Sequence, residues 1–159
     1  NYDFSNTVMH DSVKPYLIFE KSDIKIGVLG VGIELNGLVP SKHYKATQYL
    51  DPIEKANYYS TILKEEEKCD LVICLSHLGY KYEEQKVVLA KNSKYIDLIL
   101  GGHTHTFLEQ PDRVANLDEK PVLISQVGWA GLVLGRLDFY FEKNTKKKCI
   151  TCKNTFIEK

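Results

Sequence analysis

The chain has 159 residues, of which 43% are apolar and 26% charged, enough for one domain with its own core. Its 21 basic and 21 acidic side chains cancel, which argues against the broad cationic surface that a nucleic-acid polymer or an anionic membrane would attract. No apolar run approaches the roughly 20 residues of a membrane span, and no signal peptide is visible. The sequence opens "NYDFSNT" without a methionine, so it reads as the interior of a longer sequence, a mature or trimmed product.

Residues 14–31, "KPYLIFEKSDIKIGVLGV", predict two strands joined by a turn at Lys21-Ser22-Asp23. The glycines of "GVLGVG" do not have dinucleotide-site spacing, and "LNGLVP" downstream is no helix start. Residues 51–68 predict a helix. Asp51 can cap it, Pro52 suits the first helical position, and Glu54 stands at N3. Ile53, Ala56, Tyr59 or Ser60, and Leu63 would share its buried face. "LVICL" (71–75) is a continuous apolar run, the mark of a strand buried on both faces. A shorter helix is expected over 83–94 and a second buried strand over 96–100.

Residues 110–121 form the longest expected loop. Strands are expected over 121–127 and 134–143, the latter alternating Leu137, Phe139 and Phe141 with Arg136, Asp138 and Tyr140, so that one face is wetter. Lys146-Lys147-Lys148 reads as a solvated turn. Cys69 and Cys74 flank a buried run and read as core thiols. Cys149 and Cys152 form a lone C-x-x-C without the second pair of a zinc ribbon, an incidental feature or an incidental disulfide. Helices alternating with buried strands, and strand pairs at each end, give a single-domain α/β sandwich with mixed sheets.

Two stretches share one grammar. "LVICLSHLG" and "LILGGHTHT" are both buried strands that end in histidine. In open α/β sheets, functional groups gather beyond the carboxyl ends of strands. His77, His103 and His105 would stand there, and neutral imidazole is the commonest metal ligand. The glycine pair Gly101-Gly102 would let the backbone turn sharply and approach a ligand. His10 and His43 lack this context and read as ordinary surface or core residues.

"SHLG" followed by "GGHTHT" resembles the later motifs of the calcineurin-like metallophosphoesterases, and most of all their 5′-nucleotidase branch. "GWAGLVLGRLDFYF" (128–141) is similar to the segment that follows in those proteins, and "NYDFSNT" to the strand after their Gly-Asn-His-Glu motif. The resemblance covers nearly the whole chain. It implies an α/β/β/α sandwich, here in part, and a phosphatase acting on phosphate monoesters, nucleotides foremost. Two divalent ions about 4 Å apart would clamp the phosphate and activate a water. Their identity is left open among Zn, Mn, Fe and Co. By motif position His77 and His103 would bind one ion and His105 the other, with Thr104 as a spacer. The family location implied is extracytoplasmic, periplasm or cell envelope.

The family's first-half motifs, Asp-x-His, Gly-Asp and Gly-Asn-His-Asp/Glu, do not occur in these residues. Asp70 and Asp97 cannot replace them. A strand rises about 3.3 Å per residue, which sets each roughly 20 Å from the histidine at the far end of its strand. Asp3 and Asp11 escape that argument, but no motif points to them. The resemblance therefore implies the C-terminal portion of a catalytic domain, inactive alone, with no catalytic or substrate-binding residue named. An exposed sheet face or edge is expected, open to self-association or to pairing with the missing half.

The alternative is a non-catalytic metal-binding or scaffold module that acts with a partner chain. A mononuclear three-histidine zinc hydrolase is a third reading, but it lacks an evident general base. Trp129 either lines the mouth of the pocket or serves as a core or edge residue.

Overall fold

The computed structural model describes residues 1–80, 89–142 and 148–157. In chain order these form β1 (Tyr2–Asp3), β2 (Tyr16–Lys21), β3 (Ile24–Gly32), α1 (Ser41–Tyr44), β4 (Gln48–Tyr49), α2 (Pro52–Thr61), β5 (Leu71–His77), β6 (Leu98–Gly101), β7 (Asp112–Ala115), β8 (Pro121–Ser125), β9 (Val133–Phe141) and β10 (Lys148–Phe156). Six strands make a mixed sheet in the order β2-β3-β5-β6-β8-β7, parallel at its centre and antiparallel at both edges. β9 and β10 form a separate antiparallel pair, and β1 pairs with β4. Among the described residues no helix is long and apolar enough to cross a membrane.

The β2–β3 hairpin turns on two residues, Ser22 (φ +50°) and Asp23 (φ +64°), because Lys21 still pairs with Ile24. Both central residues are left-handed, which matches the twist of the flanking strands. α2 starts as expected. Asp51 accepts a 2.7 Å hydrogen bond from the Glu54 amide, and Pro52 takes the first helical position. The helix then widens into a π-helical turn at Ile62–Glu66 and ends at left-handed Lys68. Ala56, Ser60 and Leu63 are its fully buried residues, so Ser60 takes the third place on the expected face, while Tyr59 is half-buried. The Ser60 hydroxyl satisfies itself on the Lys94 carbonyl at 2.7 Å.

Leu29, Val31, Val72, Cys74, Ile99, Val122 and Ile124 of the sheet form the core with Ala56, Leu63, Leu89 and Ala90. Residues 89–91 are helical, and the rest of the helix expected over 83–94 falls mostly outside the described residues. Cys69 and Cys74 are free buried thiols, and burial pushes the Cys69 thiol up in pKa. Cys152 is also free. Cys149 and Cys152 lie three residues apart along β10, about 10 Å by strand rise, too far for a disulfide between them.

Two expectations need correction. The stretch 110–121 contains β7, an antiparallel edge strand whose register runs from Asp112 beside Ile124 to Ala115 beside Pro121. Its sequence hid it, since in "DRVA" only Val114 packs on the core. The apolar run of β5 is also not buried on both faces. Leu75 is 49% exposed, and on the same side of the sheet Leu100 is 37%, Leu17 48% and Phe19 54% exposed. The hairpin of β9 and β10 lies over part of that side. Ile26, Ile73 and Leu98 face Leu137, Phe139 and Phe141 across a cleft of about 570 Å³. The wetter face foreseen for β9 shows in exposed Arg136 and Tyr140. The open sheet face expected of a partial sandwich is present.

Gly27 in β3 makes room for Leu63, since a Cβ there would stand 2.8 Å from the Leu63 side chain. Gly27→Ala should overpack this point and lower unfolding free energy by about 1–3 kcal/mol. Leu63→Ala should empty it and cost about 2–5 kcal/mol. Urea denaturation of the two variants and of the pair checks this, and the pair should lose less than the sum of the two.

Candidate metal centre

The parallel register brings strand ends to one edge. Gly32 of β3 lies beside His77 of β5, and Gly101 of β6 lies beside Ser76. His77 is thus the last residue of its strand. The Gly102 amide donates to the Ser76 carbonyl at 2.9 Å and holds the chain as it leaves β6. The sharp turn is then made by the histidines themselves, not by the glycine pair. His103 (φ +76°) and His105 (φ +53°) are left-handed, whereas Gly101 and Gly102 are not. Histidine is among the few side chains that enter this region with some frequency.

Gly102 serves by its lack of a side chain. A Cβ would stand 3.0 Å from Nδ1 of His77, so the ring occupies that space. Gly79 (φ +86°) does the same for the other strand end, where a Cβ would stand 2.8 Å from the Thr104 methyl and 3.5 Å from Cδ2 of His103. The His77 and His103 rings meet edge to face, with centroids 5.1 Å apart and planes at 64°. His105 lies against Trp129 instead, with centroids 5.6 Å apart and planes at 18°. All three histidines are exposed. Trp129 is exposed too and stacks on His105, so it is not a core residue.

Thr104 is more than a spacer. Its Oγ1 accepts from the Tyr80 amide at 2.8 Å and from Nε2 of Gln126 at 3.4 Å, and it lies 3.0 Å from Oγ1 of Thr106. It ties the His103–His105 turn to the end of β5 and to the segment after β8. Sequence reading missed this role, and the Thr104-x-Thr106 spacing was its only trace.

Asp70 and Asp97 sit at the opposite end of the sheet, as the strand rise requires. Asp70 Oδ2 accepts from the Lys25 amide, and Asp97 Oδ2 from the Val72 amide, each at 2.9 Å. Asp3 accepts from the amide and hydroxyl of Ser5. Asp11 lies 3.4 Å from His10 on the surface, and His43 is exposed on α1. Among the described residues, no three His, Cys, Asp or Glu side chains come together as a group able to hold a metal. Two imidazoles in edge contact fit the donor chemistry of a transition-metal site, but they are a pair and not a full set. A cleft of about 810 Å³ opens beside them, walled by Gly32, Leu75, Ser76, His77, Leu100 and Gly102.

No family model matches the chain. The trifunctional nucleotide phosphoesterase protein YfkN of Bacillus subtilis (strain 168) is 34% identical over 131 residues, 82% of this chain and 8% of that protein. The crystal structure of a 5′-nucleotidase precursor from Thermus thermophilus superposes with a TM-score of 0.82 at 24% identity, covering 99% of this chain and 32% of that one. The calcineurin-like phosphoesterase YfkN from Bacillus subtilis superposes at 0.67 with 25% identity, over 89% of this chain and 49% of that one. Further relatives are 5′-nucleotidases and apyrases. The chain is a homologue of the calcineurin-like nucleotide phosphoesterases. It spans between 8% and 27% of the length of these curated relatives. The mixed α/β architecture and the phosphatase-type kinship expected from the sequence both hold in this phosphoesterase homologue.

Thr104→Val keeps the shape of the side chain and removes the oxygen that organises the turn. It should cost about 1–3 kcal/mol, since the amide of buried Tyr80 loses its acceptor. Amide exchange at Tyr80 should speed up by more than exchange in the β5 interior. Equal acceleration at both would mean that Thr104 acts on global stability and not on this junction.

Proposed function

We propose that this chain supplies the histidine-bearing wall of a two-metal phosphomonoesterase site that acts on nucleotides. His77 and His103 would hold one divalent ion and His105 the second. The observation that carries the reading is the edge-to-face His77–His103 pair, 5.1 Å between centroids, at the carboxyl ends of two adjacent parallel strands. Gly102 leaves space for the His77 ring, Gly79 leaves space for the Thr104 methyl, and Thr104 fixes the turn between His103 and His105. Bound there, divalent ions (Zn, Mn, Fe or Co) would polarise a phosphoryl oxygen and lower the pKa of a bound water.

The remaining ligands would come from a segment outside these residues that packs on the open face bearing Leu17, Phe19, Leu75 and Leu100. The much greater length of the relatives supports that reading, as does the absence of the first-half motifs from these residues. The names of the relatives support the nucleotide class, and the precursor form of the Thermus thermophilus 5′-nucleotidase supports an extracytoplasmic setting for the parent protein.

The test is phosphatase activity on AMP and on an aryl phosphate with Mn²⁺ or Zn²⁺. The 159-residue chain alone should show no turnover above the metal blank. The chain joined to the first half of a related catalytic domain should turn over, and His103→Ala or His105→Ala should return it to the blank. Turnover by the isolated chain that these variants abolish would overturn the incomplete-wall reading. Turnover of the joined protein that survives them would overturn the ligand assignment.

A further inference from the structure

We infer that Trp129 is a positioning residue for His105, holding its imidazole in the plane needed to bind a divalent cation. The inference rests on the metal-site reading above and adds a residue that the motifs do not supply. The two side chains lie on segments joined by an isolated β-bridge. Phe107 bridges Val127 in antiparallel register, and the Gly128 amide donates to the Thr106 carbonyl at 2.9 Å. Carried further along both segments, that register sets Trp129 directly opposite His105. Cross-strand neighbours of this kind interact face to face, and the observed stack at 5.6 Å and 18° is an offset aromatic pair.

The turn that presents Trp129 is built for that one orientation. Gly128 (φ +75°), Ala130 (φ +56°) and Gly131 (φ +69°) are all left-handed. Left-handed alanine is costly and persists only where its surroundings impose it. The Leu132 amide donates to the Trp129 carbonyl at 3.2 Å and closes the turn. The Phe107 ring fills the space where a side chain at Gly128 would go, 2.2 Å from its would-be Cβ, which packs the turn against the bridge. Trp129 itself stays 56% exposed. A tryptophan left this open adds little to the core, and its structural partner is the His105 ring.

An imidazole on an exposed turn loses rotamer freedom when it binds a metal. A flat wall that already fixes the ring removes part of that cost, as outer-shell partners of ligating histidines do.

Trp129 is the only tryptophan, so its emission reports on His105 directly. The experiment takes this chain joined to the first half of a related catalytic domain, with any tryptophan of the added half replaced by phenylalanine, and titrates it with Co²⁺, following Trp129 emission and, in parallel, heat of binding. Wild type should show saturable quenching, which His105→Ala should abolish. By calorimetry Trp129→Ala should weaken Co²⁺ binding about 10-fold, while Trp129→Phe, which keeps a ring, should stay close to wild type. Circular dichroism should show all three variants folded. If His105→Ala weakens binding and Trp129→Ala does not, the positioning role is wrong and the metal reading stands. If His105→Ala leaves both the affinity and the number of bound Co²⁺ ions unchanged, the assignment of His105 as a ligand fails and this inference fails with it.

Discussion

Asp97 and Val72 exchange two hydrogen bonds across the back edge of the sheet. The carboxylate accepts from the Val72 amide at 2.9 Å, and the Asp97 amide returns a bond to the Val72 carbonyl at 3.0 Å. Asp70 and Lys25 repeat the device one strand over, at 2.9 and 2.7 Å. The first bond of each pair is charge-assisted and therefore among the stronger ones available. Together they fix β3 against β5 and the start of β6 against β5. Parallel strands have no hairpin to set their register, and a slip of one residue sends every side chain to the opposite face. Such a slip in β5 would carry His77 and Leu75 together to the opposite face of the sheet. The carboxylates that lie too far away to bind a metal are thus what keeps the histidines in line.

At the front edge the problem is different, because the three imidazoles are exposed and burial cannot hold them. Backbone geometry and a few hydrogen bonds do so instead. Asn1 clamps Gly32 by accepting from its amide at 2.7 Å and donating to its carbonyl at 3.0 Å. This is the same two-way pairing as at the back, now made by a carboxamide beside the strand end that neighbours His77. Thr104 then joins the end of β5 to the turn after β6 through one oxygen. The site is held by polar junctions at the margin of an apolar core. Loss of a junction should loosen the site while the core stays folded, which separates the fate of the centre from that of the domain.

Much of this was legible in the sequence because it depends on local rules. The cap at Asp51, the buried face of α2 and the strand-then-histidine pattern follow from spacing alone. What stayed hidden depends on partners far along the chain. β7 carries a single core residue, Val114, and exists because β8 offers it an edge. The exposure of Leu75 cannot be told from burial in an apolar run, since the run is the same whether or not a second layer covers it. The hydroxyl of Thr104 is invisible as a junction until Tyr80 and Gln126 are brought to it from either side. The glycine pair misled in one respect. It pointed to a sharp turn at Gly101 and Gly102, while the left-handed residues are the histidines and Gly102 is needed for the clearance of a ring.

The open face and the histidine edge are one surface. Alternation along β5 sets Ile73, Leu75 and His77 on the same side, and the cleft beside His77 continues past Leu75 and Leu100. Exposed apolar area of this kind is unfavourable in water and drives association. Whatever buries Leu75 must also border His77, two residues on. A layer that covers the face for hydrophobic reasons therefore brings its own side chains to the imidazoles without any separate means of delivery. Packing supplies most of the free energy, and the chemistry of the edge depends on which side chains that layer carries. A second copy of this chain could cover the face, yet it would bring only another set of histidines. A layer carrying carboxylates at its matching edge would complete a mixed donor set, and in that case assembly of the fold and assembly of the centre are one event.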